Sequence, residues 1–168
     1  MFTNEPINNI KWVDAKELNM NDYNPNTVLN QELKLLEFSI LKNGWIQPII
    51  IGNDKVIIDG FHRALLSKQS KKIKEKYDGK VPCVVMDMSV AERKMLTIRI
   101  NRAKGVHNGY KMHSIVQSLI SEHKLEKSYV AKSLGMSKKE LELLLKDDVF
   151  DKLDIKNHKY SMAWVTSK

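Results

Sequence analysis

Val56-Ile57-Ile58-Asp59-Gly60-Phe61-His62-Arg63-Ala64-Leu65-Leu66 changes period halfway along. A short apolar run passes through Asp-Gly and continues at helical spacing, which predicts a strand, a tight turn and a helix. Gly60 can take backbone angles closed to other residues and lets a ligand approach the main chain. The first turn of the helix after it carries free N–H groups and the positive end of the helix dipole. His62 and Arg63 add donors at that point, so the stretch reads as a phosphate site. A plainer reading stays open: a turn whose Arg pairs with a nearby carboxylate, with His62 on the surface.

The flanking sequence supplies more of the same domain. Ile10-Lys11-Trp12-Val13 is a strand candidate, and Met20 to Thr27, with Asn24-Pro25-Asn26, is a loop. Leu33, Leu36 and Ile40 fall on one helix face after a cap at Asn30, and Gly44 stops that helix. Pro48 to Gly52 and Lys55 to Ile58 form a hairpin turning at Asn53-Asp54. The lysines at 68, 71, 72, 74 and 76 read as a solvated helix face. Val81 to Met86 is a further strand, and Ser89 with Glu92 makes a capping box for a helix from Val90 to Arg102. Ala103 to Gly109 reads as a loop, either a plain connector or a phosphate-binding lid.

Strand signals stop at Tyr110. The division expected is therefore an α/β part over residues 1–109 and a helical part with a tail over 110–168. Within the second, Ser128 to Leu145 has a helix-turn-helix pattern. Ala131 lies where two helices cross, Gly135 lies in the turn, and Ser137 caps the second helix. Leu134, Leu141 and Leu144 fill the shared core. Lys132, Ser137, Lys138 and Lys139 are the DNA-contact candidates, whereas Glu140 and Glu142 would repel a phosphate backbone. Use of the helix pair for packing or dimerisation is the alternative.

Composition narrows the class. Lys and Arg number 28 against 20 for Asp and Glu, a formal charge of +8, which favours a polyanionic partner, nucleic acid or nucleotide. One cysteine, Cys83, excludes an internal disulfide and a cysteine zinc cluster. Its apolar neighbours predict a buried, inert thiol. No run reaches the length of a membrane span and the start lacks a signal-peptide pattern, so a cytoplasmic, reducing location with no membrane partner is expected.

Several stretches together resemble the ParB/sulfiredoxin superfamily. They are Asn24-Pro25-Asn26 with Ser39-Ile40 and Gly44-Trp45-Ile46-Gln47-Pro48-Ile49; Gly60-Phe61-His62-Arg63-Ala64, at the family's Gly-Glu-Arg-Arg box; and Ile100-Asn101-Arg102-Ala103-Lys104-Gly105. The resemblance implies an α+β chain, a ParB/sulfiredoxin-like mixed-sheet domain followed by an all-α helix-turn-helix domain. It implies a bound nucleoside triphosphate, CTP ahead of ATP or ADP, with Mg2+ as a companion ion. Gln47 and Pro48 would line the base. Asp59, Gly60, His62 and Arg63 would form the phosphate box, and Asn101 and Arg102 would reach the distal phosphates. Arg63→Ala should then abolish nucleotide binding and leave the fold intact. DNA is the second partner, and a homodimer is left open.

Phe61 departs from the pattern. It stands where ParB proteins have the Glu implicated in hydrolysis and sulfiredoxins their catalytic Cys, and it can neither take a proton nor attack. Catalytic residues are thus none, and whether the chain is an enzyme stays open. The related free serine kinases carry Asp-Gly-His-His-Arg, close to Asp59-Gly60-Phe61-His62-Arg63. That keeps a small ADP- or ATP-dependent phosphotransferase as the alternative, with Asp59 or His62 as its acid–base group. The layout is also similar to small ParB-like proteins of phages and mobile elements, the prophage co-activator group, which share the Asp-Gly-Phe-His-Arg form, the Asn-Arg-Ala-Lys/Arg-Gly stretch and a C-terminal Tyr-Ser…Ala-Trp, here Tyr160-Ser161-Met162-Ala163-Trp164. That likeness bears on the fold more than on function; the role expected for a ParB-like DNA-binding chain is plasmid or phage maintenance, or transcription regulation.

Overall fold

The computed structural model describes residues 4–21, 30–104 and 109–146. Asn24-Pro25-Asn26 and the Tyr160–Trp164 stretch lie outside the described residues, and the cap assigned to Asn30 falls at their edge. The chain divides into two compact units, with the boundary in sequence between Ser89 and Val90. The sequence reading differs from this division by one helix, Val90–Lys104, which contacts group with the helical unit.

The first unit contains β1 (Ile10–Asp14), α1 (Asn30–Asn43), β2 (Ile49–Gly52), β3 (Ile57–Asp59), α2 (Phe61–Gln69), α3 (Lys71–Tyr77) and β4 (Lys80–Met86). The strands form a mixed sheet in the order β1-β4-β2-β3. Cys83 pairs with Lys11 across the antiparallel β1–β4 ladder and with Ile49 across the parallel β2–β4 ladder. β2 and β3 form the expected hairpin, with a register shift between Ile50 and Ile51. Its turn places Lys55 at φ +61°, and the Gly52 N–H donates to the Val56 carbonyl at 2.9 Å.

Ile49, Ile51, Ile57, Val81 and Cys83 are fully buried with Leu18 and Ala64. Each large aliphatic side chain contributes about 1.5–3 kcal/mol on burial. A second apolar cluster joins Ile40 of α1 to Leu66 of α2 and Ile73 of α3. Burial pushes the Cys83 thiol up to about 11, so the thiolate is disfavoured, as an inert thiol requires. α1 ends at Asn43, and Gly44 follows at φ +83°.

The lysine run is more structured than its charge suggests. Ser70 ends α2 and caps α3, its Oγ accepting from the Ile73 N–H at 3.2 Å. Ile73 is the one fully buried side chain of this helix, with Tyr77 packed beside it, and the surrounding lysines hide it from a periodicity count. Two lysines are also tied down: Lys68 Nζ donates to the Leu18 carbonyl at 2.6 Å, and Lys76 Nζ to the Leu41 carbonyl at 2.5 Å.

The second unit contains α4 (Val90–Lys104), α5 (Gly109–Ser121), α6 (Lys127–Leu134) and α7 (Lys138–Leu144). α4 starts directly after Ser89, as the capping box predicts. It runs two residues further than expected, because Ala103 and Lys104 are good helix formers and no breaker precedes Gly105. α5 begins at Gly109. The loop expected over 103–109 is thus helical at both ends, and residues 105–108 lie outside the described residues. The core gathers Met95 and Ile98 of α4, Ile115, Val116 and Leu119 of α5, and Val130, Leu134 and Leu141 of α6 and α7. No helix among the described residues is long and apolar enough to cross a membrane.

Candidate functional site

β3 delivers Asp59 to the sheet edge, and the chain turns there at Gly60, φ +95°. A Cβ on Gly60 would lie 3.2 Å from both Arg63 Nη2 and Ile49 Cγ1. Glycine is therefore required twice, for the backbone angle and for the close approach. The Gly60 carbonyl accepts the first helical bond of α2, from the Ala64 N–H at 3.0 Å, and with no side chain it supplies no side-chain cap. His62 stands beside Phe61, ring centroids 5.7 Å apart and nearly perpendicular.

Arg63 is the centre of this corner. Its Nη1 donates to the backbone carbonyls of Gln47 and Pro48, both at 2.7 Å. Its Nη2 donates to Asp59 Oδ2 at 3.1 Å, an ion pair whose side chains are 11% and 14% exposed. Burial lowers the Arg63 pKa from its ordinary value, and the Asp59 carboxylate works in the opposite direction. The guanidinium is thus first a pin between the Gln47-Pro48 loop and the strand end. Of its five N–H donors, three are spent on protein oxygens, leaving two with no partner among the described residues. The plainer sequence reading, an Arg paired with a nearby carboxylate, describes this geometry.

The expectation that Arg63→Ala leaves the fold intact changes accordingly. Removing the guanidinium would leave Asp59 charged and largely buried and two carbonyls without their donor. Breaking such a pair costs about 3–5 kcal/mol.

Beside Arg63 opens a cavity of about 200 Å3, walled by Leu36, Ser39, Trp45, Ile46 and Gln47. Typical small-molecule pockets are about 300–1,000 Å3, so this one has room for a ring and not for a whole nucleotide. Trp45 lines this cavity, and its indole N–H is buried with no hydrogen-bond partner among the described residues. Gln47, Pro48, Asp59, Gly60, His62 and Arg63 thus lie together in the first unit. Trp45 and Ser39 complete the wall; both stand in the motif stretches but drew no role from residue type alone.

Asn101 and Arg102 belong to α4 in the helical unit, and both are engaged there. Asn101 is 3% exposed. Arg102 Nη1 donates to Glu140 Oε1 at 2.7 Å, and Nη2 to the Gly135 carbonyl at 3.4 Å.

The segment from α6 to α7 folds around Gly135. Its φ is +63°, its N–H donates to the Lys132 carbonyl at 3.3 Å, and the next N–H, of Met136, reaches back to Ala131 at 2.9 Å. That pair of bonds is a Schellman stop, and Met136 is buried beneath it. Ser137 Oγ then accepts from the Glu140 N–H at 3.1 Å and caps α7. The side chains of Lys132, Ser137, Lys138 and Lys139 are exposed. At the far end of α7 the buried His113 ring meets the Leu144 carbonyl through Nδ1 at 2.5 Å. No group of three His, Cys, Asp or Glu side chains among the described residues could hold a metal ion.

This combination, a mixed four-stranded sheet with the strand–glycine–helix corner and a helical unit after it, defines a ParB-like fold. The C-terminally truncated chromosome-partitioning protein ParB of Caulobacter crescentus, complexed to the centromeric parS site, aligns with a TM-score of 0.53 and 18% identity, covering 86% of this chain and 77% of that one. A structure of ParB from the same organism, complexed with CTP-gamma-S, aligns at 0.47 and 19%, covering 87% and 84%. At such identities the likeness is one of fold. Sequence similarity goes further with Uncharacterized protein YbdM of Escherichia coli (strain K12), 36% identical over 167 residues, 97% of this chain and 79% of that protein. The chain belongs to the YbdM family. No protein-family model matches it.

Proposed function

We propose that this chain is a ParB-like, nucleotide-binding protein that contacts DNA. The first unit takes a nucleoside triphosphate, CTP first, with its base in the cavity beside Trp45 and Gln47 and its phosphates toward Gly60 and the α2 N-terminus. The α6–α7 pair serves as a helix-turn-helix, with Lys132, Lys138 and Lys139 meeting the phosphate backbone. The observation that carries the nucleotide half is the corner itself: glycine without room for a Cβ, two Arg63 donors with no partner among the described residues and a ring-sized cavity beside them. Free amides at a helix start and a guanidinium are the donors a phosphate group needs. The DNA half is supported by the net charge of +8 and by the exposed lysines around the Ser137 cap. Mg2+ would accompany the triphosphate, with its coordination completed by phosphate oxygens.

The role given to Arg63 here is indirect. It fixes the carbonyl of Gln47, a residue of the cavity wall, and that of the adjoining Pro48, and offers its two remaining donors to the ligand. Asp59 is committed to Arg63, and this removes one of the two acid–base candidates of the phosphotransferase reading. Plasmid or phage maintenance, or transcription regulation, is the biological setting we assign.

Fluorescence anisotropy with a labelled random-sequence duplex, over a series of salt concentrations and with or without CTP and Mg2+, tests the DNA half. Binding that weakens steeply with salt is expected, because phosphate contacts release counterions. Absence of binding at low salt would overturn it.

A further inference from the structure

The Arg102 contacts give the acidic residue in the first turn of α7 a purpose. Ser137-Lys138-Lys139-Glu140 has the spacing of a capping box, in which the Glu side chain returns to the cap residue. Only half of that box is used to hold the cap: Ser137 Oγ takes the Glu140 N–H, while the Glu140 carboxylate goes to Arg102 at 2.7 Å. Arg102 also reaches the carbonyl of Gly135, the left-handed residue of the turn. One guanidinium on α4 thus grips both the turn before α7 and the first turn of α7. Its side chain is 26% exposed and that of Glu140 46%.

We infer that Arg102 is a positioning residue for DNA contact, clamping the start of α7 to α4 and holding the Glu140 carboxylate on that side. The inference rests on the DNA-binding reading. It gives Arg102 a task other than the distal-phosphate contact that the motif resemblance implies. It also accounts for a carboxylate placed one residue after two lysines on a helix meant for a polyanion. With its charge spent on Arg102, Glu140 fixes the helix orientation from which Lys138 and Lys139 are presented. Contacts of this kind, partly exposed and charge-assisted, are modest alone, but here one holds the turn before α7 and the other the first turn of that short helix.

The test uses a reversal of sign. Glu140→Ala makes the chain more positive, so simple electrostatics predicts tighter binding to a labelled random-sequence duplex. The clamp predicts weaker binding, by roughly threefold to tenfold for a contact of this strength. Arg102→Ala should weaken binding too, and the double variant should be no weaker than Arg102→Ala alone, because both remove one interaction. Amide hydrogen exchange in α7 should quicken in either variant, while affinity for CTP stays unchanged. Tighter DNA binding by Glu140→Ala, additive losses in the double variant, or a loss of CTP affinity in Arg102→Ala would each overturn the inference. A parent chain that binds no duplex overturns the DNA reading itself, and is seen before any variant is compared.

Discussion

Arg63 and Asp59 face each other at 3.1 Å across Gly60, both largely withdrawn from solvent. The pair joins a strand end to a helix start, and through the Gln47 and Pro48 carbonyls it also holds the loop that walls the cavity. Stability and ligand binding therefore meet in one side chain. Arg63→Ala should lose about 3–5 kcal/mol of unfolding free energy, read by urea denaturation. Arg63→Lys should recover only part of it, since one ammonium lacks the planar fork that spans three acceptors. A melting curve unchanged by Arg63→Ala would contradict the pin.

Two glycines at positive φ offer a matched comparison. Gly135→Ala meets no atom within 4 Å, so it should cost only the left-handed backbone penalty, about 1–2 kcal/mol. Gly60→Ala adds contacts at 3.2 Å to Arg63 and Ile49 and should cost about 1–3 kcal/mol more. Denaturant midpoints of the two variants check the order; an equal loss would place no steric demand at Gly60.

Cys83 provides a pH prediction. Its thiol is raised to about 11 by burial, so the folded state holds the proton more tightly than the unfolded state. The contribution is intact below the ordinary thiol value and is lost as pH rises through the folded value, a window from about 9 to 11. Iodoacetamide at pH 8 should leave the native chain unlabelled and alkylate it fully in denaturant, with mass spectrometry as the readout. Rapid labelling of the native chain would show the thiol to be accessible.

The cap of α7 is open to a local test. Ser137→Ala removes the acceptor for the Glu140 N–H and should cost about 1 kcal/mol. Hydrogen exchange should quicken first at the start of α7. If protection there is unchanged, the cap contributes nothing to that helix.

Much of this architecture is legible in the sequence because it is local. The strand–glycine–helix corner announces itself at Val56–Leu66 by a change of period, the α6–α7 turn by Gly135 and Ser137, and the buried thiol by its neighbours. Even the Asp59–Arg63 pair lies four residues apart. The carbonyl partners of Arg63 are 15 and 16 residues away, and Glu140 is 38 residues from Arg102; no pattern of residue types encodes such meetings. α3 is hidden for a different reason, since a single buried isoleucine among lysines leaves almost no apolar period to read.

The most direct test of the central claim is a melting-temperature panel with CTP, ATP, ADP and GTP, each with Mg2+. It should be run on the parent chain and on Gln47→Ala, which keeps the backbone carbonyl that Arg63 uses. Ligand that binds only the folded chain stabilises it by about 2.7 kcal/mol at a hundredfold excess over Kd. CTP should raise the melting temperature by several degrees, and the rise should shrink in Gln47→Ala while the unliganded melting temperature stays put. A rise with ADP or ATP alone would move the chain to the phosphotransferase reading, and no rise with any nucleotide would contradict the account.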